Sequence, residues 1–322
     1  MREFGLCKTE WLKTFLKLKN GIPSEDTFRR VISTINVDEF ELCFRKWVSS
    51  ITQKCAEVIA IDGKTICGSR DESNGKAAIH MVSAWACENQ MVLGQIATTE
   101  KSNEITAIPE LIDKLDLDGC TVTIDAMGCQ KKIAKKIVEA RADYIFSLKG
   151  NQGNLNNDVR LYMDDLIARE KEMPYYEEVN STHGRIEKRR VWYVENVNWM
   201  EDAKLWSGLS GLAVLESERT FKGITTKERR YFISSLTNKS PEEVGRKIRD
   251  HWGVENSLHW CLDVTFGEDK STIRKKNGAQ NTSLIKKVAL NLLKSDKTKG
   301  SVRGKRKRSG WDNSFLASLL GI

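Results

Sequence analysis

The sequence predicts an α/β fold, a mixed sheet with flanking helices, preceded by a short helical region and interrupted by a β-rich insertion. Three observations point there. Apolar residues at helical spacing occupy residues 9–50, short strand-like runs alternating with amphipathic helices begin at Val58, and a strongly capped helix opens at Ser240. At 322 residues, 40% apolar and 30% charged, the chain can bury one large core or two modest ones and is too apolar to be wholly disordered.

The entry region, residues 1–54, carries two stripes, one of Trp11, Leu12, Phe15 and Leu16 and one of Phe28, Val31 and Ile32, parted by the turn Asn20-Gly21-Ile22-Pro23-Ser24. A first block of the sheet follows over residues 55–152. Val58 to Ile61 reads as a buried strand ending at Asp62, and Ala77–Cys87 and Met91–Thr98 read as two more, joined by the polar link Glu88-Asn89-Gln90. A helix is expected within Ile105–Leu115, where Pro109 suits a first turn better than an interior. Cys120–Ile124 is a fourth strand ending at Asp125, Lys131–Ala140 a basic amphipathic helix, and Tyr144–Leu148 a fifth strand. Residues 153–239 read as a mainly β insertion. The last core segment, 240–293, opens on Ser240-Pro241-Glu242-Glu243, with Ser at the N-cap, Pro at N1 and Glu at N3. Residues 294–322 form a basic tail whose Lys294–Arg308 portion reads as a flexible cationic tract.

Charge narrows the partners. Lys and Arg number 52 against 44 Asp and Glu, leaving a net +8, and the pI is near 9.0, so the long-range field attracts polyanions, with nucleic acid foremost. No apolar run approaches the roughly 20 residues that span a bilayer, and Met1-Arg2-Glu3 leads into no signal-peptide core, so a cytoplasmic protein is expected. The eight cysteines, at 7, 43, 55, 67, 87, 120, 129 and 261, form no C-x-x-C pair and read as reduced thiols, mostly core filler.

The chemistry rests on acids. Asp62 and Asp125 each close an apolar strand, and neighbouring strands can bring such carboxylates together; for a lone aspartate a turn cap is the commoner role. On the helix opened by Ser240, Ile248, Trp252, Glu255 and His259 fall on one stripe, which turns Glu255 toward the core. Burying an ion without a partner costs several kcal/mol, and bound divalent cations would compensate it.

Strand, strand, strand, helix, strand, helix, strand and a late helix is also the element order of the ribonuclease-H-like fold. The stretches "LKNGIPSEDTFRRV", "AIDGKTICGS", "IDAMGCQ", "YIFSLKGNQ", "HGRIEKRRVW" and "IRDHWGVENSLHWCLDVTFGED" resemble the H-repeat-associated proteins of bacterial insertion sequences, relatives of the IS-four-like transposases, over roughly residues 14–293. The resemblance implies a DDE-type transposase whose catalytic and metal-binding triad is Asp62, Asp125 and Glu255, using two Mg²⁺ or Mn²⁺ ions. It also implies double-stranded DNA as partner, as element ends and target, and a homodimer in the synaptic complex.

The chain departs from the wider family signature on the last helix, placing Ile248, His251 and Leu262 where Tyr, Arg and Lys are usual. His251 is expected to replace the Arg near a phosphate, and Lys270 or Arg274 the Lys. Further DNA contacts are expected from Lys64, from Lys149, Asn151 and Gln152 beyond the fifth strand, and from His183, Arg185, Lys188 and Arg189 in the insertion. The family usually has a longer stretch before Trp11. The rival expectations are therefore a shortened relic that binds DNA without cutting it, and a metal-dependent nuclease without strand transfer.

Overall fold

The computed structural model describes residues 1–52, 57–98, 103–169, 173–182 and 184–322. Four helices lead in: α1 (Arg2–Cys7), α2 (Thr9–Lys13), α3 (Glu25–Thr34) and α4 (Val37–Ile51). Ser24 and Asn36 cap α3 and α4, their side chains accepting the free amides of Thr27 and Glu39. The meander β1 (Val58–Ile66), β2 (Ile79–Ala86) and β3 (Met91–Ala97) follows, then α5 (Glu104–Ile112), β4 (Thr121–Ile124), α6 (Lys131–Glu139) and β5 (Asp143–Leu148). Pro109 lies inside α5, at its sixth residue rather than in its first turn.

The segment expected to be mainly β begins with a long helix, α7 (Gly153–Arg169), before β6 (Tyr175–Thr182), β7 (Arg185–Val194), β8 (Gly211–Phe221) and β9 (Ile224–Ser234). These four strands join the main sheet. β9 pairs antiparallel with β5, giving one nine-stranded sheet in the order β3-β2-β1-β4-β5-β9-β8-β7-β6. The chain ends in α8 (Pro241–Asp250), two π-helical stretches at Val254–His259 and Cys261–Thr265, then α9 (Gly278–Ser295), α10 (Val302–Trp311) and α11 (Asn313–Leu320).

Helices cover both faces of the sheet. On one face α5, α6 and α7 pack on the inward residues of every sheet region, with Ile61, Ile108, Ile133, Phe146, Val159 and Val214 all buried. On the other, α4, α9 and the π-helical stretches bury Ala60, Trp85 and Leu258, while α8 packs Val244 and Ile248 on Ile145, Ala213 and Phe232.

The cationic tail is ordered. Ser301 caps α10, and Lys305 is buried, donating to the Asp296 carbonyl at 2.5 Å and pairing with its carboxylate at 2.9 Å. Arg306 donates to the Thr265 carbonyl and Arg308 pairs with Asp312 at 3.0 Å, so part of the tract's charge is spent on internal contacts, while Lys297, Lys299, Arg303 and Lys307 are exposed. Cys120, Cys129 and Cys261 are core thiols, whereas Cys7, Cys43 and Cys67 are exposed; Cys55 lies outside the described residues.

Candidate active site

Register places the two aspartates side by side. β1 and β4 are parallel neighbours whose last pair is Ile61 with Ile124, so Asp62 and Asp125 are the next residues on adjacent strands, separated by about 4.8 Å of backbone. β1 does not end at Asp62, however. It runs on to Ile66 paired only with β2, so beyond Ile61 its other edge is open.

Asp62 and Asp125 share the α8 side of the sheet with Ser147, Lys149, Arg230 and Phe232, and these line one cleft together with His251, Trp252 and Glu255. The three predicted carboxylates are therefore brought to one place. Glu255 reaches it differently from expectation: it is exposed at the cleft rather than turned into the core. The π-helical winding over Val254–His259 is the reason, because each wider turn breaks the 3.6-residue stripe and sends Val254 and Leu258 inward.

The Asp62 carboxyl is pushed up to about 7, first by burial, and then by the charges of Glu104, Asp125 and Glu255; a hydrogen bond from the Gly63 amide opposes them. The nearby His259, 3.5 Å from Asp62, brings no countercharge, since burial drives its imidazole down to about 3. Asp125 accepts from the Met127 and Gly128 amides at 3.0 and 3.4 Å, which fixes its rotamer while leaving its second oxygen free of those bonds. Among the described residues, no three His, Cys, Asp or Glu side chains stand closely enough to form a finished metal cage. The three carboxylates nonetheless suit a hard divalent ion: they are oxygen donors, mutually repelling, on one cleft.

The residues expected at DNA fall into three groups. Lys149 lines the cleft, and Arg189 lies over the Trp252 ring at 5.7 Å while pairing with Glu187. Arg185 pairs with the same Glu187 at 2.8 Å, and Lys188 with Glu177 at 2.9 Å. A second group is used internally. Lys64 is caged by Asp263 at 2.7 Å and Asp269 at 2.6 Å, with Glu268 at 3.8 Å, which leaves it no charge for a phosphate. Asn151 and Gln152 donate to the Ala126 and Cys129 carbonyls at 2.5 and 2.7 Å, so they brace the loop after Asp125. His251 contacts the Thr123 hydroxyl at 2.9 Å, and burial lowers its imidazole to about 4, so it stands neutral and cannot replace an arginine's charge. Lys270 and Arg274 are exposed but do not line the cleft, and His183 lies outside the described residues.

Two neighbours of the three carboxylates were not singled out from the sequence. Arg230 lines the cleft, stacks over Trp252 at 5.3 Å and pairs with Glu228 at 2.9 Å. Its signal was strand alternation, which puts Arg230 on the same face as Phe232. Glu104 was hidden because an acid in a first helical turn ordinarily serves the helix dipole. Trp252 and Trp260, read as core, are a cleft wall and an exposed side chain respectively.

The sheet with its carboxylate-bearing late helix is of the ribonuclease-H-like class. A piggyBac transposase in a synaptic complex with hairpin DNA shares the fold at a TM-score of 0.50 and 14% identity, over 92% of this chain and 61% of that one. The chain belongs to the DDE transposase family: the "Transposase DDE domain" matches residues 53–292, and the domain associated with it matches residues 1–48. Among its relatives, YncI of Escherichia coli O157:H7 is 44% identical over 99% of this chain and 83% of its own. The H repeat-associated YhhI of E. coli K12 is 40% identical over 99% of this chain and 86% of its own.

Proposed function

We propose that this protein is the transposase of an insertion sequence, hydrolysing phosphodiester bonds at the element's ends and joining the freed ends to target DNA. The observation that carries the reading is the register that aligns Asp62 with Asp125 at the open end of the sheet, with Glu255 on the same cleft. In it, Asp62, Asp125 and Glu255 hold Mg²⁺ or Mn²⁺, two ions in all. Such ions supply activation of water or a 3′-hydroxyl and neutralisation of the leaving oxygen.

The rest is done by side chains. Asn151 and Gln152 keep the loop after Asp125 from drifting, so that carboxylate meets its ligand at a fixed position. Lys149 and Arg230, which occupy the same cleft, hold the scissile phosphate, with Arg185 and Arg189 continuing the cationic side along β7. Lys270 and Arg274 serve DNA farther from the cleft. Two ends must be cut in concert, so the working form is a homodimer on double-stranded DNA, acting in the cytoplasm. No described helix is long and apolar enough to cross a membrane.

Incubation with Mg²⁺ and DNA carrying the element's own ends tests this, comparing wild type with Asp125→Ala. Cutting and joining by wild type alone is the expected result. Equal nicking by both proteins removes the site assignment, cutting without joined products indicates a nuclease, and inertness of both indicates a relic.

A further inference from the structure

Glu104 approaches the aspartates from the opposite side of the sheet. It is the first residue of α5, buried to 8% exposure, and packs against the β1 backbone directly after Asp62. Gly63 makes this possible: a Cβ there would stand 2.1 Å from Glu104 Oε1 and 2.3 Å from His80 Nε2, so any side chain would evict both. His80, on β2, holds the carboxylate at 2.6 Å through Nε2, and its Nδ1 lies 2.8 Å from the Thr65 hydroxyl. Nε2–H donates to the Glu104 carboxylate, which can only accept when ionised, and Nδ1 shares its hydrogen bond with the Thr65 hydroxyl, so the ring is held at both ends.

A glutamate needing only a dipole partner has no reason to be anchored there. Past Ile61 the β4 side of β1 is open, so a group lying over Gly63 on one face and Asp62 on the other border the same gap at the strand edge.

We propose that Glu104 is a fourth carboxylate of the cation pocket, delivered through the gap left by Gly63 and positioned by His80. This rests on the reading of Asp62 and Asp125 as cation ligands. With a cation bound beside Asp62, the Glu104 carboxylate would add its negative charge and acceptor oxygens to the pocket. His80 is a positioning residue, acting through Glu104.

Mn²⁺ binding to the full chain, measured by calorimetry without DNA, separates the possibilities. Glu104→Gln keeps the shape and the bond from His80 and removes only the charge; it is expected to weaken Mn²⁺ binding by about tenfold or more. Glu104→Asp, which keeps the charge, should fall between it and wild type. His80→Ala should weaken binding, and His80→Gln, which restores a donor, should recover part of the loss. Should Asp125→Asn abolish binding while Glu104→Gln binds as wild type, Glu104 is no part of the pocket and the site reading stands. Should Asp125→Asn itself bind as wild type, the site reading falls and this proposal with it. Far-UV circular dichroism on each variant identifies losses caused by misfolding, and a folded Glu104→Asp then decides in place of an unfolded Glu104→Gln.

Discussion

Two carboxylates on one sheet, Glu216 buried and Asp62 partly so, have opposite surroundings. Glu216 on β8 faces α7 and is met by Arg229 at 2.7 Å, Lys227 at 3.0 Å and Arg190 at 3.3 Å. Burial alone would raise its carboxyl, yet the hydrogen bonds from Lys227 and Arg229 bring it below the usual carboxylate range. Asp62 on β1 faces the other side, where Asp125 and Glu255 share its cleft; burial first, and then the charges of Glu104 across the strand and of those two, drive its carboxyl up to about 7. Glu216 is neutralised by the chain itself and serves architecture. In the proposed function Asp62 is left to a cation from outside, and the chain gives up stability to keep it so.

The largest effect should come from the uncompensated side. Asp125→Asn is expected to cut cleavage of end DNA by about 10³-fold or more without lowering the melting temperature, as read by a gel assay beside a thermal scan. The same change at Glu216 should do the reverse. Glu216→Gln strands three cations and is expected to cost about 2–4 kcal/mol in denaturant unfolding, with Mn²⁺ affinity unchanged. A fall in Mn²⁺ affinity there would erase the contrast between the two sites.

Glu41 on α4 sharpens the comparison as an intermediate case. Burial raises its carboxyl to about 7 although Lys287, itself fully buried and lowered by desolvation, pulls the other way. A raised acid contributes stability that is fully present below its unfolded value near 4.5 and is lost as pH climbs through about 7. Glu41→Gln should therefore match wild type near pH 4 and exceed it at about pH 8, by on the order of 1–3 kcal/mol in urea unfolding. The smallest effect is at the cleft wall. Lys149→Ala or Arg230→Ala should weaken DNA binding about tenfold and reduce the salt slope by about one, as measured by fluorescence anisotropy across a salt series.

The first half of the sheet was legible because β4, β5 and the Val58–Ile61 opening of β1 are short apolar runs followed by polar residues, although β1 itself runs on past Asp62 to Ile66. The capping box at Ser240 made α8 equally plain. α7 was obscured by the alternating segments after it, although Leu155, Val159 and Met163, spaced four apart and all buried, carried its helical signal. That β9 pairs with β5 could not be read locally, since strand partners distant in sequence leave no periodic trace. The π-helical turns around Glu255 and the order of the Lys294–Arg308 tract depend on tertiary contacts, such as Lys305 with Asp296, that composition hides. Lys64 was misjudged for the same reason: its three acidic partners lie some 200 residues away.

Thermal unfolding of wild type and Asp62→Asn at about pH 8, in EDTA and then in millimolar Mn²⁺, tests most directly whether Asp62 is reserved for an external cation. In EDTA the asparagine variant should melt higher, because a repelled buried charge is gone; Mn²⁺ should raise the wild type and leave the variant where it was. A variant that melts lower in EDTA, or that gains as much from Mn²⁺ as the wild type does, would contradict the account.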